Sequence, residues 1–507
     1  MGYDSQVLEF HRYTPGVPQA PEWDAILRDY MDFMAGMEKD PTKHSTGPNR
    51  HLVDRVWIVC LERSGVISSL DAGRLLRAIR GIESGAVKVG DTLSHGYAER
   101  QLVEALAGDE DLASVVNLGR TLQEPMSRLD LRDKAIDTFG TLLRLRSALL
   151  EVAAANVDTV MPGHTHLSQA QPITYSHYLL SVSEGLDRAT AQLELAYEHV
   201  NRNSGGCGAT SGITLPIDRA LMSDLLGMQG VVEPTYDSES SQDHSLSLLQ
   251  ALTNIVLLLS KSSMDLNIWT MEETGMLRVD PAWCGVSSMM PQKCISGTLL
   301  ERARIEASYV VGQMVQACLL TKGEPHADML PMLELPKLAL HAMARATVVM
   351  RYFQGVVQHS EPRLEVMLEY VRRGFSCSSE VAMHLVLELG YGTRRAHRVV
   401  ATFVRLARER GLAAYDVEAA LLDEAARFAG EREPGLTTSQ LRTLLDPVRF
   451  IASHDQPGGT ARDRQVEMID AGRAKIAAAR QRLAQRKSSL RVAQEALQQA
   501  EDALIGA

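Results

Sequence analysis

The sequence predicts an all-α fold, in which a central bundle of long helices is flanked by smaller helical N- and C-terminal domains. Three observations carry that prediction. Hydrophobic residues make up 45% of the 507 positions and aromatics only 5%, and the abundance of Ala, Leu, Met, Glu and Arg favours helices over sheets. Segments 130–156, 173–203, 244–273 and 296–322 keep apolar residues at helical spacing beyond the usual globular length. Ile469, Ile476, Leu483, Leu490, Leu497 and Leu504 recur at every seventh position.

Taken in chain order, residues 1–114 read as an N-terminal helical domain. A Pro-rich entry (Pro15, Pro18, Pro21) precedes short amphipathic helices, including 52–64 and 69–83, the latter with Ser69 or Asp71 as its cap. Residues 115–365 hold the long helices. The stretch 246–259 is apolar nearly all round, which requires neighbours on every side and implies a bundle whose faces are completed by other subunits. From 366 to 463 the helices shorten, with Gly390, Gly392, Pro434 and Gly435 as breakers. The remaining stretch, 464–507, is a heptad-patterned helical tail. Its middle, 473–491, carries seven Lys or Arg and no acid, so a basic surface is presented. The seam either packs back on its own core or pairs with another subunit or a helix partner through 469–504. Removing everything after 470 is expected to leave the core folded.

Composition excludes several classes. A net charge of −11, from 52 basic and 63 acidic residues, argues against nucleic-acid binding. The first thirteen residues, with Asp4, Glu9, His11 and Arg12, lack the apolar stretch of a secretory signal. The apolar run near 255–259 is too short for a membrane span, so a cytoplasmic protein without membrane contact is expected. The six cysteines show neither CxxC nor Cys/His metal spacing; buried reduced thiols are expected, with no metal site.

One loop is hard to explain as packing. Between two helical patterns lies Gly285-Val286-Ser287-Ser288-Met289-Met290-Pro291-Gln292-Lys293, a Ser pair and a Lys joined by Met-Met-Pro. Ser287, Ser288, Met290, Pro291 and Lys293 match the loop G-S-S-x-M-P-x-K-x-N, so the chain resembles the aspartase/fumarase superfamily, most closely its argininosuccinate lyase branch. The resemblance recurs in order over about 49–470. His95 to Arg100 resembles H-x-x-x-E-R, and Gly163-His164-Thr165-His166-Leu167-Ser168-Gln169-Ala170-Gln171-Pro172 resembles G-x-T-H-L-x-x-A-Q-P. Gly206-Cys207-Gly208-Ala209 with Pro216-Ile217-Asp218-Arg219, and Gly458-Gly459-Thr460-Ala461, resemble two further blocks.

The resemblance implies a homotetramer with composite active sites, no cofactor, and a small-molecule carboxylate substrate. Its chemistry is abstraction of a proton beside a carboxylate, followed by β-elimination at the neighbouring carbon to a fumarate-like product. Ser287 takes the place of the general base, and a Ser hydroxyl needs a positive environment for that work. Lys293 is placed to supply it and to neutralise the intermediate. Thr165 falls at a substrate-binding position and His166 near the leaving group. Arg120, Thr121, Gln123, His95, Gln171 and Ser288 are the remaining substrate-side candidates, with His95 at the pocket rim and Gln171 fixing backbone at a Pro172 turn. Outside the family pattern, the competing view is that Ser287 and Ser288 cap the following helix.

Departures limit the transfer. Ile295 stands where the loop has Asn. In Asn117-Leu118-Gly119-Arg120-Thr121-Leu122-Gln123-Glu124-Pro125, which resembles H-T-G-R-S-R-N-D-Q, the second Arg is Leu122 and the Asn is Gln123. The Tyr and Gln of an argininosuccinate binder fall near Asp328 and Leu333. Each lost charge-assisted bond is worth about 1.5–3 kcal/mol, so a substrate other than argininosuccinate is expected. Two functions remain: a divergent carbon–nitrogen lyase that takes a substrate with one carboxylate replaced by a less charged group, and a scaffold that has lost catalysis and serves as an interaction or structural protein.

Overall fold

The computed structural model describes residues 21–38, 47–89, 97–121, 125–287, 289–290, 293–327 and 329–506. His95, Gln123 and Ser288 lie outside them.

The first helices are α1 (Pro21–Glu38), α2 (Gly47–Arg63), α3 (Ser69–Glu83), α4 (Tyr97–Ala105) and α5 (Glu110–Ser114). The cap of α3 is Ser68, whose hydroxyl accepts from Asp71 N at 3.1 Å, one residue before the position expected. Helices α2 to α5 share a core around Val56, Trp57, Leu75, Leu76 and Leu102. Helix α1 belongs elsewhere: Trp23, Ile26 and Tyr30 are buried in the central bundle.

The bundle is built from α6 (Met126–Ala155), α7 (Tyr175–Val200), α10 (Asp243–Thr270), α11 (Thr298–Thr321) and α12 (Leu330–Gln358). Short helices α8 (Arg219–Leu225) and α9 (Thr235–Ser240) fall between α7 and α10. Four of the long helices answer the predicted segments. The fifth, α12, was not among those segments; Pro331 sits in its first turn, where no N–H is needed, and Pro336 is tolerated inside. Helix α10 has the length and composition to cross a membrane, but Leu248, Leu252, Ile255, Val256 and Leu259 are buried against its neighbours in the bundle core.

Strands are few and short. An antiparallel hairpin, β1 (Val160–Thr165) and β2 (Ser168–Thr174), joins α6 to α7. Strand β3 (Leu277–Val279) pairs with β6 (Ser360–Pro362), and β4 (Gly285–Val286) pairs with β5 (Cys294–Ile295). The C-terminal domain holds α13 (Leu364–Arg373), α14 (Ser378–Leu387), α15 (Thr393–Glu409), α16 (Ala419–Phe428), α17 (Thr438–Leu444) and α18 (Pro447–Ser453). Its own core, with Val381, Phe403, Leu422 and Leu441, is separate from that of the bundle.

The tail is the single helix α19 (Arg462–Gly506). Its heptad seam faces its own chain: Ile469, Ile476 and Leu483 enter the bundle core, and Leu497 and Leu504 enter the N-terminal core. Gly73 makes the approach possible, since a Cβ there would stand 2.3 Å from the Leu504 carbonyl oxygen. The basic residues tie the helix down, with Arg482 on Glu194 at 2.9 Å and Lys475 on Asp187 at 3.0 Å. Of the two readings of the seam, packing back on its own core is the one this chain shows, and that placement argues against a tail separable after 470. A seven-residue stripe specifies that one face must be covered, and here two cores of the same subunit cover it.

The cysteine expectation holds in part. Cys60, Cys207, Cys284 and Cys377 are buried thiols outside any disulfide, whereas Cys294 and Cys318 are exposed on this chain. Burial pushes the Cys60 and Cys377 thiols up to about 12.

Candidate active site

The segment carrying Thr165 and His166 forms the tip of the β1–β2 hairpin. Pairing closes at Thr165 opposite Ser168, which leaves His166 and Leu167 as a two-residue turn with φ of 53° and 58°. Two successive positive φ values make a type I′ turn, ordinarily filled by Asn and Gly, and each side chain held there costs about 1–3 kcal/mol. Behind the tip the register shifts at Gly163, where a Cβ would stand 2.6 Å from the Gln171 carbonyl oxygen. Thr165 through Gln169 are exposed, and Leu167 is 82% so.

The hairpin base is fixed. Thr174 caps α7, accepting from His177 N at 3.0 Å, and donates to Gln465 Oε1 at 2.5 Å. Gln465 in turn donates to the Val157 and Thr460 carbonyls, linking the Gly458–Ala461 block to the hairpin. Gln169 Nε2 donates to the Tyr370 carbonyl at 2.9 Å on α13. Gln171 does not stabilise a turn at Pro172, as expected from sequence; Pro172 lies within β2 opposite Pro162, and Gln171 is exposed on the same strand.

The second segment is Arg120-Thr121. Arg120, a substrate-side candidate, is buried and paired within this chain: Nη1 meets Asp54 Oδ1 at 2.6 Å and the Val116 carbonyl at 3.1 Å, with 5% of the side chain exposed. Thr121 is half-buried, and its Oγ1 donates to Glu239 Oε1 at 3.2 Å. The buried Cys207 thiol donates to the same oxygen at 2.8 Å. Arg219 from the Pro216–Arg219 block pins this region, donating to the Gly205 and Val232 carbonyls at 2.8 and 2.9 Å. On α9, Ser240 Oγ lies 3.2 Å from His326 Nε2, and the Tyr236 hydroxyl donates to the His326 carbonyl. Sequence reasoning missed Glu239, because a Glu between two serines reads as a solvated position.

The third segment is the Ser287 loop, pinched at its base by the β4–β5 pairing of Gly285 with Ile295 and Val286 with Cys294. Ser287 does not cap α11, whose N-cap is Gly297 with no side-chain bond. Its Oγ instead accepts from Met290 N at 3.1 Å and from Met289 N at 3.4 Å, while Lys293 N donates to the Met290 carbonyl. Backbone N–H groups aimed at a hydroxyl oxygen favour its deprotonated form. Lys293 is exposed, and Ile295 is half-buried. Among the described residues, no hydrogen bond or ion pair joins the hairpin tip, the Arg120–Thr121 segment and the Ser287 loop within one chain.

The long-helix bundle thus carries a loop with a serine and a lysine, and an exposed Thr-His hairpin tip. A lyase family model matches residues 74–299. Argininosuccinate lyase of Methanoculleus marisnigri is 31% identical over 421 residues, covering 81% of this chain and 83% of that relative. The Acinetobacter baumannii enzyme of the same name is 34% identical over 360 residues, covering 71% and 72%. Among solved structures, EDDS lyase in complex with formate is similar with a TM-score of 0.89 and 25% identity over 98% of both chains. A class II fumarase from Schistosoma mansoni, 15% identical with a TM-score of 0.66 over 87% of this chain and 97% of its own, shares the fold. The chain belongs to the aspartase/fumarase superfamily, in its argininosuccinate lyase-like branch. It is a carbon–nitrogen lyase of that type, acting on small carboxylates by elimination.

Proposed function

We propose that the protein catalyses reversible β-elimination of an amine from a substrate other than argininosuccinate, with a fumarate-like product. Ser287 takes the proton from the carbon beside a carboxylate, and the electron pair is held as an aci-carboxylate neutralised by Lys293. The carbon–nitrogen bond then breaks, the double bond forms, and the amine leaves with a proton relayed through His166. The supporting observation is the Met290 N–H donated to Ser287 Oγ, which favours an alkoxide over a neutral hydroxyl. The same geometry favours an active enzyme over a scaffold.

The substrate departs from argininosuccinate because Leu122 and Ile295 offer no charge-assisted bond to a carboxylate. The exposed hairpin tip supports a homotetramer with composite sites, as do the exposed apolar residues Ile305, Tyr309, Val315 and Leu319 of α11. A cytoplasmic setting goes with this reading.

Incubation with a panel of N-substituted aspartates and their amides, followed by the ultraviolet absorbance of a fumarate-type product, tests it. Turnover that drops at least a thousandfold in Ser287→Ala, with substrate binding retained, is the expected result. Equal rates for wild type and Ser287→Ala would remove Ser287 as the base.

A further inference from the structure

The Thr121 hydroxyl carries one proton, and that proton is committed to Glu239. What remains for a ligand at Thr121 is a lone pair. Glu239 is 5% exposed, and its Oε1 takes a second donor, the Cys207 thiol, so this oxygen acts as an acceptor from two sides. Reversal of the Thr121 bond would require Glu239 to donate from an oxygen already receiving a proton. The nearby Arg120 guanidinium does not change the polarity of the position, because Asp54 at 2.6 Å opposes its charge. A ligand carboxylate placed on Thr121 would meet a lone pair, with a buried carboxylate directly behind it.

We propose that Glu239 is a positioning residue that sets Thr121 as an acceptor, so that this end of the site takes an N–H donor group, a carboxamide, where a second carboxylate would otherwise bind. The inference rests on the reading that the Arg120–Thr121 segment contacts substrate, and it names the less charged group that reading calls for. A carboxamide places its N–H on Thr121 Oγ1 and brings no negative charge toward Glu239. Leu122 follows Thr121 directly in sequence, and Ile295 replaces the loop Asn, so neither position requires a charged ligand group.

The test is binding to the whole protein, measured by calorimetry with fumarate and with its monoamide. Fumarate is symmetric, so the monoamide leaves no ambiguity about which carboxyl is replaced. Wild type is expected to bind the monoamide at least tenfold more tightly. Glu239→Gln, whose side-chain amide can donate to Thr121 and free the hydroxyl proton for the ligand, is expected to erase or reverse that preference. Thr121→Val should weaken the monoamide while leaving fumarate unchanged, and Thr121→Ser should restore it; these two carry the test if Glu239→Gln fails to fold. Equal binding of both ligands by wild type, or an unaltered preference in Thr121→Val, would overturn the inference while leaving the elimination reading intact. Binding of neither ligand, with no turnover across the amine panel, would overturn both.

Discussion

Arg80 on α3 meets Glu501 on α19 at 2.5 Å, across 421 positions of sequence. The Glu501 side chain is fully buried, and Arg55 reaches its other oxygen at 3.1 Å. Two cations converge on one carboxylate where the tail crosses the N-terminal core. Glu501→Gln keeps the shape and removes the charge, leaving Arg80 with Asp502 and Arg55 with Glu83 as carboxylate partners. The expected loss is about 2–3 kcal/mol, read as a lower urea midpoint. An unchanged midpoint would show that the cluster adds nothing to stability.

The seam itself answers to a second test. Leu483→Glu is expected to unfold or aggregate the subunit rather than release a partner, because the carboxylate would enter the bundle core. Truncation after 470 should have the same effect, since it strips Ile476 and Leu483 from one core and Leu497 from another. A well-folded truncated chain by near-ultraviolet circular dichroism would contradict this.

At the hairpin tip, stability and activity should move in opposite directions. Leu167→Gly relieves a positive φ of 58° and is expected to raise stability by about 1 kcal/mol. Turnover should fall, because the more flexible tip holds Thr165 and His166 less firmly. A variant that is both more stable and fully active would leave the strained turn without a catalytic purpose.

Acid should weaken the fold through His244, at the start of α10. Burial holds its imidazole well below the usual value of 6.5, and the neighbouring Arg128 and His199 oppose a further positive charge. Below pH 6.5 the unfolded chain therefore binds a proton that the folded chain refuses, so stability falls with falling pH. The slope from this residue is up to about 1.4 kcal/mol per pH unit. His244→Phe should flatten the urea midpoint between pH 7.5 and 5.5; an unaltered slope would assign the acid sensitivity elsewhere.

Assembly and catalysis should fail together. Tyr309→Arg with Leu319→Arg places two charges on the exposed apolar face of α11. The expected outcome is smaller species by light scattering and loss of turnover with the subunit fold retained. A fully active monomer would refute composite sites.

Much of this arrangement was legible in the residues. The helix 69–83 was delimited by its apolar spacing and polar start, and the long helices by their length. The heptad stripe was equally plain, but a stripe states that a face is covered and not by what, so Ile469 to Leu504 gave no partner. Helix α12 was hidden because Pro336 falls inside it. The hairpin escaped notice because residues 160–174 lack clean polar–apolar alternation, and its turn uses His166 and Leu167 in place of Asn and Gly. Ser287, Lys293, Thr165 and His166 were singled out as candidates through motif order. The Arg120–Asp54 pair and the Glu239 carboxylate behind Thr121 were not legible, because charge in a sequence says nothing about burial.

The long reach of α19 also governs how the chain meets the cell while it is being made. Ala72 and Leu75 leave the ribosome early, whereas Leu497 and Leu504, which cover the same core, are added more than four hundred residues later. At about 5–20 residues per second, that interval is roughly 20 to 85 seconds. Throughout it the nascent N-terminal helices present an open apolar face. Completion of this subunit is thus a late event in translation, and chaperone occupancy of the unfinished core should set how much of the synthesised protein reaches its native form.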